Sequence, residues 1–498
     1  MGFFSNKKRD DRKEHSFAVK KLRSFFTTEV NERLFGWTTS TSSIDAYLKT
    51  DLQNLRARSR ELYRQNGFAK KFVALCKTNI VGPEGIMINS RLRKRNGELD
   101  MRANEAIEYV LKDWMKPKNC DYRGTKSFKQ ILNLDINSNA LDGEGLIEFR
   151  EGPQYGKYGF QIVNLDAELI DLDKNERLHN GNQVRLGVEY DPEGIKRVAY
   201  HLKSVDINGN YTREKTRRVD ADNLLVGHLE EFNDASHGLP WMHPVLEDLK
   251  SLGKYKDAAL DAARNGAHKV GGITQETARN GDQPAFTGDY QEDGQGYVDS
   301  ESGQILDLGT KKFSTYDPSY PHEMYSPYID KSIQGISSGL LVAHASLSNN
   351  LADVNFSSIR TGVLDQRDIF KMMQSWYIET KVVPIIERLI RWLVMSKQIK
   401  LLTTGNSLSR PYTDYQEAIE YRGRRWEWVD PKNDSQTAEI HRANNWKSSK
   451  RIMQEMGITD PESEWEQIKK EDEELGDDEQ ITETDGKATD KNGEPNSS

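Results

Sequence analysis

The sequence predicts an α+β chain built in several lobes, and three features predict it. Apolar periodicity of the helical kind appears toward both ends and brackets a central stretch of short alternating strands. Two amphipathic helices flank an excursion rich in Gly, Asp and Gln. The composition is wet for its size: of 498 residues, 36% are apolar and 30% charged. Counting glycine in place of tyrosine gives an apolar share of about 39%, against roughly 45–50% in ordinary globular chains. The length exceeds one domain of roughly 100–200 residues. An elongated or multi-lobed subunit fits these numbers better than one compact ball.

The elements follow in chain order. Residues 43–80 carry Leu48, Leu52, Leu55, Leu62 and Tyr63 on one helical face. Asn66-Gly67 breaks that helix, and a second one carries Phe72, Val73 and Leu75. A helix over 102–115 ends near Pro117, and another over 127–141 places Phe128, Ile131, Leu132 and Leu134. Asp142-Gly143 then turns into the runs LIEFR, FQIVNLDAELI, VRLGVEY, VAYHLK and LLVGHL, read as meandering strands. A long helix resumes over 243–266, with Pro244 in its first turn, where proline is tolerated. Residues 273–322 form the Gly-rich excursion, and a helix covers 323–341. The polar run AHASLSNNLADVNFSS follows. The longest helical signal spans 357–397 and contains Pro384. That proline removes a backbone donor and crowds the carbonyl of Thr380, so a kink is expected there. Two shorter helices are expected within 433–470, and no repeat of solenoid period is present.

Charge is unevenly placed. Residues 1–23 carry a net charge of +5 and residues 471–498 a net charge of −9, although the whole chain stands at −8. The acidic end has almost no large apolar groups and is expected to be disordered. The basic end reads as a solvated arm, with contact to nucleic acid or a capsid surface as the alternative. No apolar run reaches the ~18 residues of a spanning helix, and the first residues have no apolar signal core. No membrane association is therefore expected. Cys76 and Cys120 are too few and too far apart for a metal knuckle or a disulfide framework.

Chemistry is sparse. Gly124-Thr125-Lys126-Ser127 lacks the upstream glycine of a phosphate loop, and HExxH, GxSxG and GxGxxG are missing. Asp171-x-Asp173-x-Asn175 starts like a calcium loop but has Glu176 where the turn needs glycine. His237 and His243 flank Gly238-Leu239-Pro240-Trp241 with no carboxylate cluster beside them, and read as structural. Glu230-Glu231 reads as a solvated strand end. No catalytic residue, cofactor or metal site is assigned. From residues alone, the chain is an assembly protein of α+β type.

A set of dispersed motifs carries the reading further: RARSRELYRQNGFAKKFVALCKTNIVGPEGI at 56–86, CDYRG at 120–124, LDGEGLIEF at 141–149, GVEYDPEGIKRVAYHL at 187–202, HGLPWMHPVLEDLKSLGKYKDAALDAA at 237–263, NFSSIRTGVLDQR at 355–367 and RWEWVDPKNDSQTAEIH at 425–441. In order and spacing the chain resembles the tailed-bacteriophage portal proteins of the lambda type from about residue 36 to 470. Phe356 stands where that family commonly has tyrosine.

The resemblance implies a multi-domain portal fold that assembles as a homo-oligomeric, dodecameric ring. It implies a basic arm at 1–35, a wing at 36–240 with a return at 398–430, and a stem at 241–266 and 323–341. The clip would be 267–322, the tunnel loop 342–356, the long kinked helix 357–397, the crown 431–470 and the acidic tail 471–498. It implies a virion portal vertex, assembled in the host bacterial cytoplasm, through which double-stranded DNA is packaged and ejected without sequence preference. The implied partners are the terminase large subunit, head-completion or adaptor proteins and the major capsid protein. Another head structural protein is the alternative, and a DNA-processing enzyme a more remote one, since no clustered carboxylates for metal-assisted cleavage occur. Ser346, Ser348, Asn349, Asn350, Asp353 and Asn355 are the candidate DNA-facing residues. Ser357, Ser358, Arg360 and Arg367 are the candidates for subunit packing, and Pro384 for the kink. The run 342–356 holds no Lys or Arg and one acid. Each phosphate neutralised by a cation adds affinity, so such a lining would let DNA slide.

Overall fold

The computed structural model describes residues 42–267, 271–275, 289–290, 296–297, 311–315, 325–350, 356–426, 431–458, 461 and 464–472. The expected arm at 1–35, the residues Asp353 and Asn355, and the segment 473–498 lie outside them. Two compact units are present: one joins residues 1–247 with 336–498, the other is Asp248–Gly335.

The first unit opens with α1 (Ile44–Gln65) and α2 (Gly67–Ile80). Asn66 between them is extended, and its side chain accepts from the amides of Phe68 and Ala69, capping α2. A short strand β1 (Met87–Ser90) precedes α3 (Met101–Trp114), the single turn α4 (Pro117–Cys120) and α5 (Phe128–Asp142). Ser127 and Gln130 close a reciprocal capping box on α5. Gly143 ends α5 in the left-handed region at φ 86°.

Strands follow as expected from the alternating runs. They are β2 (Glu144–Glu151), β3 (Phe160–Leu165), β4 (Glu176–Arg177), β5 (Gln183–Arg185), β6 (Val188–Tyr190), β7 (Arg197–Val205), β8 (Tyr211–Asp220) and β9 (Leu224–His228). They form two antiparallel sheets, β3-β2-β9 and the meander β4-β5-β6-β7-β8. Trp114 is fully buried between Phe128 and Phe160, and its Nε1 donates to the Phe160 carbonyl at 2.9 Å. That bond removes the desolvation cost of an indole N–H in the core.

The second unit is described by itself. It contains most of α6 (Leu246–Ala267), the strands β10 (Gly271–Gln275), β11 (Asp289–Tyr290), β12 (Gly296–Tyr297) and β13 (Lys311–Thr315), and the first turns of α7 (Tyr325–Gly339). β10 pairs antiparallel with β13, and β11 with β12. Tyr255 of α6 stacks on Tyr325 of α7 at 5.8 Å between ring centroids and meets Tyr328 at a tilt at 4.5 Å.

Back in the first unit, α8 (His344–Ser348) is a short helix and α9 (Phe356–Tyr377) a long one. The long helical signal is not continuous. Residues Ile378–Val382 form a π-helical turn, after which α10 (Val383–Met395) resumes with Pro384 in its first turn. The Thr380 hydroxyl donates to the Trp376 carbonyl at 2.7 Å within this break. The chain then forms α11 (Tyr412–Glu417), β14 (Ile419–Arg422) paired with β1, α12 (Pro431–Ala443) and α13 (Ser449–Glu455), and residues 464–472 are helical.

The long helix binds the lobe together. Gln374 Nε2 donates to the carbonyls of Asn79 and Ile80 at 3.3 and 3.2 Å, satisfying orphan groups at the end of α2. On α10, Arg388 pairs with Glu151 and lies 4.5 Å over the Phe149 ring, while Trp392 Nε1 donates to the Tyr158 carbonyl at 2.9 Å. α10 thus packs beside the β3-β2-β9 sheet. No helix among the described residues is long and apolar enough to cross a membrane.

Candidate functional site

Two buried charged clusters hold the elements from which the candidate residues project. In the first, Arg56 of α1 has no exposure and spends its guanidinium on three partners. Nε donates to the Asp142 carbonyl at 2.9 Å, Nη1 to the Ala167 carbonyl at 3.4 Å and Nη2 to Glu144 Oε1 at 2.7 Å. Arg60, one turn on, meets Asp142 and Asp166, both at 2.6 Å. Glu144 also takes His237 Nδ1, 3.0 Å from each carboxylate oxygen, and His237 Nε2 faces the Leu186 carbonyl at 2.8 Å. Both ring nitrogens are therefore engaged by acceptors on the protein.

His237 is thus a satisfied structural histidine, as the sequence reading has it, and its carboxylate partner is Glu144, which lies 93 residues away along the chain. His243 fits the structural reading, with Nδ1 3.1 Å from the Pro240 carbonyl. Burial opposes the charge on Glu144, but His237 and Arg56 override it and hold the carboxyl below its ordinary range. Leu186 stands at φ 49°, a conformation rare for a branched residue, and its amide donates to Asn175 Oδ1 at 3.0 Å. The Asp171-x-Asp173-x-Asn175 run is thus occupied by protein: Arg213 binds both aspartates. Among the described residues no group of His, Cys, Asp and Glu is arranged to hold a metal.

His228 lies in the same interior, and neither ring nitrogen has a hydrogen-bond partner among the described residues. Burial lowers its pKa from 6.5 to about 4. A depressed folded-state value contributes stability that is present above pH 6.5 and lost as pH falls toward 4. The melting temperature should therefore fall across that window. His228→Leu should flatten the fall by about 3 kcal/mol of stability. An unchanged slope in a calorimetric pH series would assign the acid sensitivity elsewhere.

The second cluster centres on Lys381 in the π turn. Its side chain is fully buried and Nζ donates to the Gly145 carbonyl at 2.6 Å, the Leu225 carbonyl at 3.3 Å and Asp135 at 3.4 Å. Gly145 and Gly227 face each other across β2 and β9. A Cβ at Gly227 would strike the Lys381 stem, and one at Gly145 would strike the Asp135 carboxylate. The two glycines therefore form the slot through which the lysine enters. Tyr377 Oη donates to the Leu132 carbonyl at 3.1 Å beside it. Burial drives Asp135 up and Lys381 down, each toward neutrality, against their mutual attraction.

Between α7 and α9 lies the run with the candidate DNA-facing residues. Leu341 and Asn349 take positive φ on either side of α8. Val342 and Leu347 are buried, and the Ala343 amide donates to Gln366 Oε1 of α9 at 2.9 Å. The described part of this polar run is therefore a short anchored helix rather than a plain loop. Ser346 is half-buried on α8; Ser348 Oγ donates to the His344 carbonyl at 2.8 Å and accepts from the Asn350 amide at 3.1 Å. Asn349 is exposed and accepts from Lys71 Nζ of α2 at 3.2 Å. Ser357, Ser358 and Arg360 fall in the first turns of α9, and their side chains lie outside the described residues. Arg367, further along α9, is half-buried. Within the described chain these residues are not gathered into one pocket.

Comparison with known proteins decides the family. The family description "Phage portal protein, lambda family" matches residues 31–374. The chain belongs to the lambda family of phage portal proteins. A relative described as "Probable portal protein" from Halomonas phage phiHAP-1 is 32% identical over 443 residues, covering 87% of this chain and 83% of its own. Two solved structures are also similar. "Neck of native GTA particle computed with C12 symmetry" has TM-score 0.43 and 13% identity, over 80% of this chain and 93% of that one. "Neck of empty GTA particle computed with C6 symmetry" has TM-score 0.41 and 13% identity, over 81% and 92%. The assignment rests on the family match and the phage relative. It makes this a structural portal protein and no enzyme. Three of its motifs meet in the first charged cluster: Arg56 opens RARSRELYRQNG, Asp142 and Glu144 belong to LDGEG, and His237 opens HGLPW. Gly143 and Gly238 pass so closely that a Cβ on either would hit the other's backbone.

Proposed function

We propose that this portal protein is the repeating subunit of a closed dodecameric ring at one capsid vertex, with double-stranded DNA passing through its axis. Family membership over residues 31–374 carries the reading. On this reading the wing is 36–240 with its return at 398–430, and the crown is 431–470. The stem is 241–266 with 323–341, and the clip is 267–322. Support for stem and clip comes from the second unit, where two helices joined by stacked tyrosines flank the antiparallel pair β10·β13. The clip would meet the terminase large subunit during filling and head-completion proteins afterwards, and the ring would sit against the major capsid protein. Assembly would take place in the host cytoplasm.

The run 342–356 would face the DNA through Ser346, Ser348, Asn349, Asn350, Asp353 and Asn355. Lys71 is tied to Asn349, so one cation stands beside this run although none lies within it. Ser357, Ser358, Arg360 and Arg367 would pack subunits, and Pro384 with the π turn would set the bend of the long helix. A heterologous interface that returns on itself is the symmetry such a ring needs. Electron microscopy of the purified, assembled protein tests the proposal. Top views should show a closed ring with rotational order and an open axial channel. A stable monomer under assembly conditions would overturn it.

A further inference from the structure

A cleft in the first unit is strongly cationic. It runs between α9, the segment 424–426, α12 and α13, encloses about 790 Å³, and is lined by seven Lys or Arg against Asp434 and Glu455. Lys371, Arg425, Lys450 and Arg451 are exposed along it. Glu455 is already engaged by Lys447 at 2.8 Å and Arg451 at 3.7 Å. On the other side, Arg424 is tethered to the Thr78 carbonyl at 2.7 Å and Asn79 Oδ1 at 3.1 Å, fixing its charge at the cleft wall. Lys371 is paired with Asp368 at 2.7 Å, but seven cations against two acids along one cleft still favour an anionic occupant.

The chain supplies one. Residues 473–498 hold nine Asp or Glu and two Lys. The helix 464–472 that leads into them borders a neighbouring cavity that shares Lys450 with the cleft: Glu466 and Lys450 both line it. Six residues of helix separate Glu466 from Asp472, about 9 Å of rise. The 26 residues beyond can span at most about 90 Å. They reach the cleft of their own chain with length to spare. We propose that the acidic segment 473–498 docks in this basic cleft. Docking would neutralise the cleft and keep its cations from gripping polyanions. The inference stands independently of the conduit reading, because it needs only one chain's cleft and acidic segment.

The test uses the chain stopped after Asp472 and a fluorescent synthetic peptide of residues 473–498. Anisotropy should show binding that weakens as salt rises. The triple variant Arg425→Gln, Lys450→Gln, Arg451→Gln changes exposed residues only and should bind about tenfold more weakly. The full-length chain, whose cleft is already filled, should bind the peptide about tenfold more weakly than the shortened one. Absence of peptide binding, or equal binding by the triple variant, would overturn the proposal. So would a duplex oligonucleotide that binds the full-length and shortened chains equally and loses binding in the triple variant, since the cleft would then belong to nucleic acid.

Discussion

Replacing Arg56 with methionine should lower the melting temperature by about 5 °C, from a loss of about 3–5 kcal/mol. The side chain is buried without exposure, and methionine keeps most of its stem volume. What is lost is the guanidinium that joins α1 to the end of α5, the start of β2 and the turn at Ala167. Glu144 would then keep the contact with His237 at 3.0 Å but lose its guanidinium in a fully buried position. The cost is that of leaving an ion buried and half-paired, which exceeds the net worth of the intact pair. The paired change Arg56→Met with Glu144→Gln should therefore cost less than the two single changes added together. Additive losses in calorimetry, or a single-variant loss under about 0.5 kcal/mol, would show that the cluster is not coupled.

Much of the fold is legible from periodicity, and the clusters are legible in hindsight from the same periodicity. The buried face of α1 runs Leu48, Asp51, Leu52, Leu55, Arg56, Ser59, and that of α5 runs Phe128, Ile131, Leu132, Asp135, Ile136, Asn139. Both follow the three-and-four spacing of a helix side with no gap. Ranking by hydrophobicity passes over Arg56 and Asp135 and instead recruits Leu134, which the structure leaves 37% exposed. A charged residue on the apolar face is the signal that was available, because burial of an ion demands a partner. The partners themselves were not legible. Glu144 and His237 are joined by sheet pairing and by the close pass of Gly143 over Gly238, contacts that no local pattern encodes. The π turn was hidden for a related reason. Pro384 announces a disturbance, but where the extra residue is accommodated depends on Lys381 reaching its slot in the sheet.

Lys381→Met should destabilise the protein by about 3–5 kcal/mol near pH 8 and by less in mild acid. The stem of the lysine passes between Gly145 and Gly227, so methionine fills part of the same slot, and cavity formation is a minor share of the loss. The larger share is electrostatic. Asp135 is fully buried, and burial already pushes its carboxyl up while Lys381 pulls it down. Without the lysine the upward push loses its largest counterweight, and the hydrogen bond from Asn139 remains. A carboxyl raised in the folded state contributes stability that is complete below its unfolded value, near 3.9, and that is lost as pH rises through the folded one. The variant should therefore recover relative to wild type as pH is lowered from 8 toward 5. Adding Asp135→Asn should remove that pH dependence and restore part of the stability, because a neutral amide needs no counter-ion. Since Lys381 ties the break in the long helix to β2 and β9, hydrogen exchange at residues 377–386 and 224–228 should accelerate together in the single variant. A pH-independent loss, or exchange that speeds up in only one of the two segments, would mean that the lysine fills space without coupling helix to sheet.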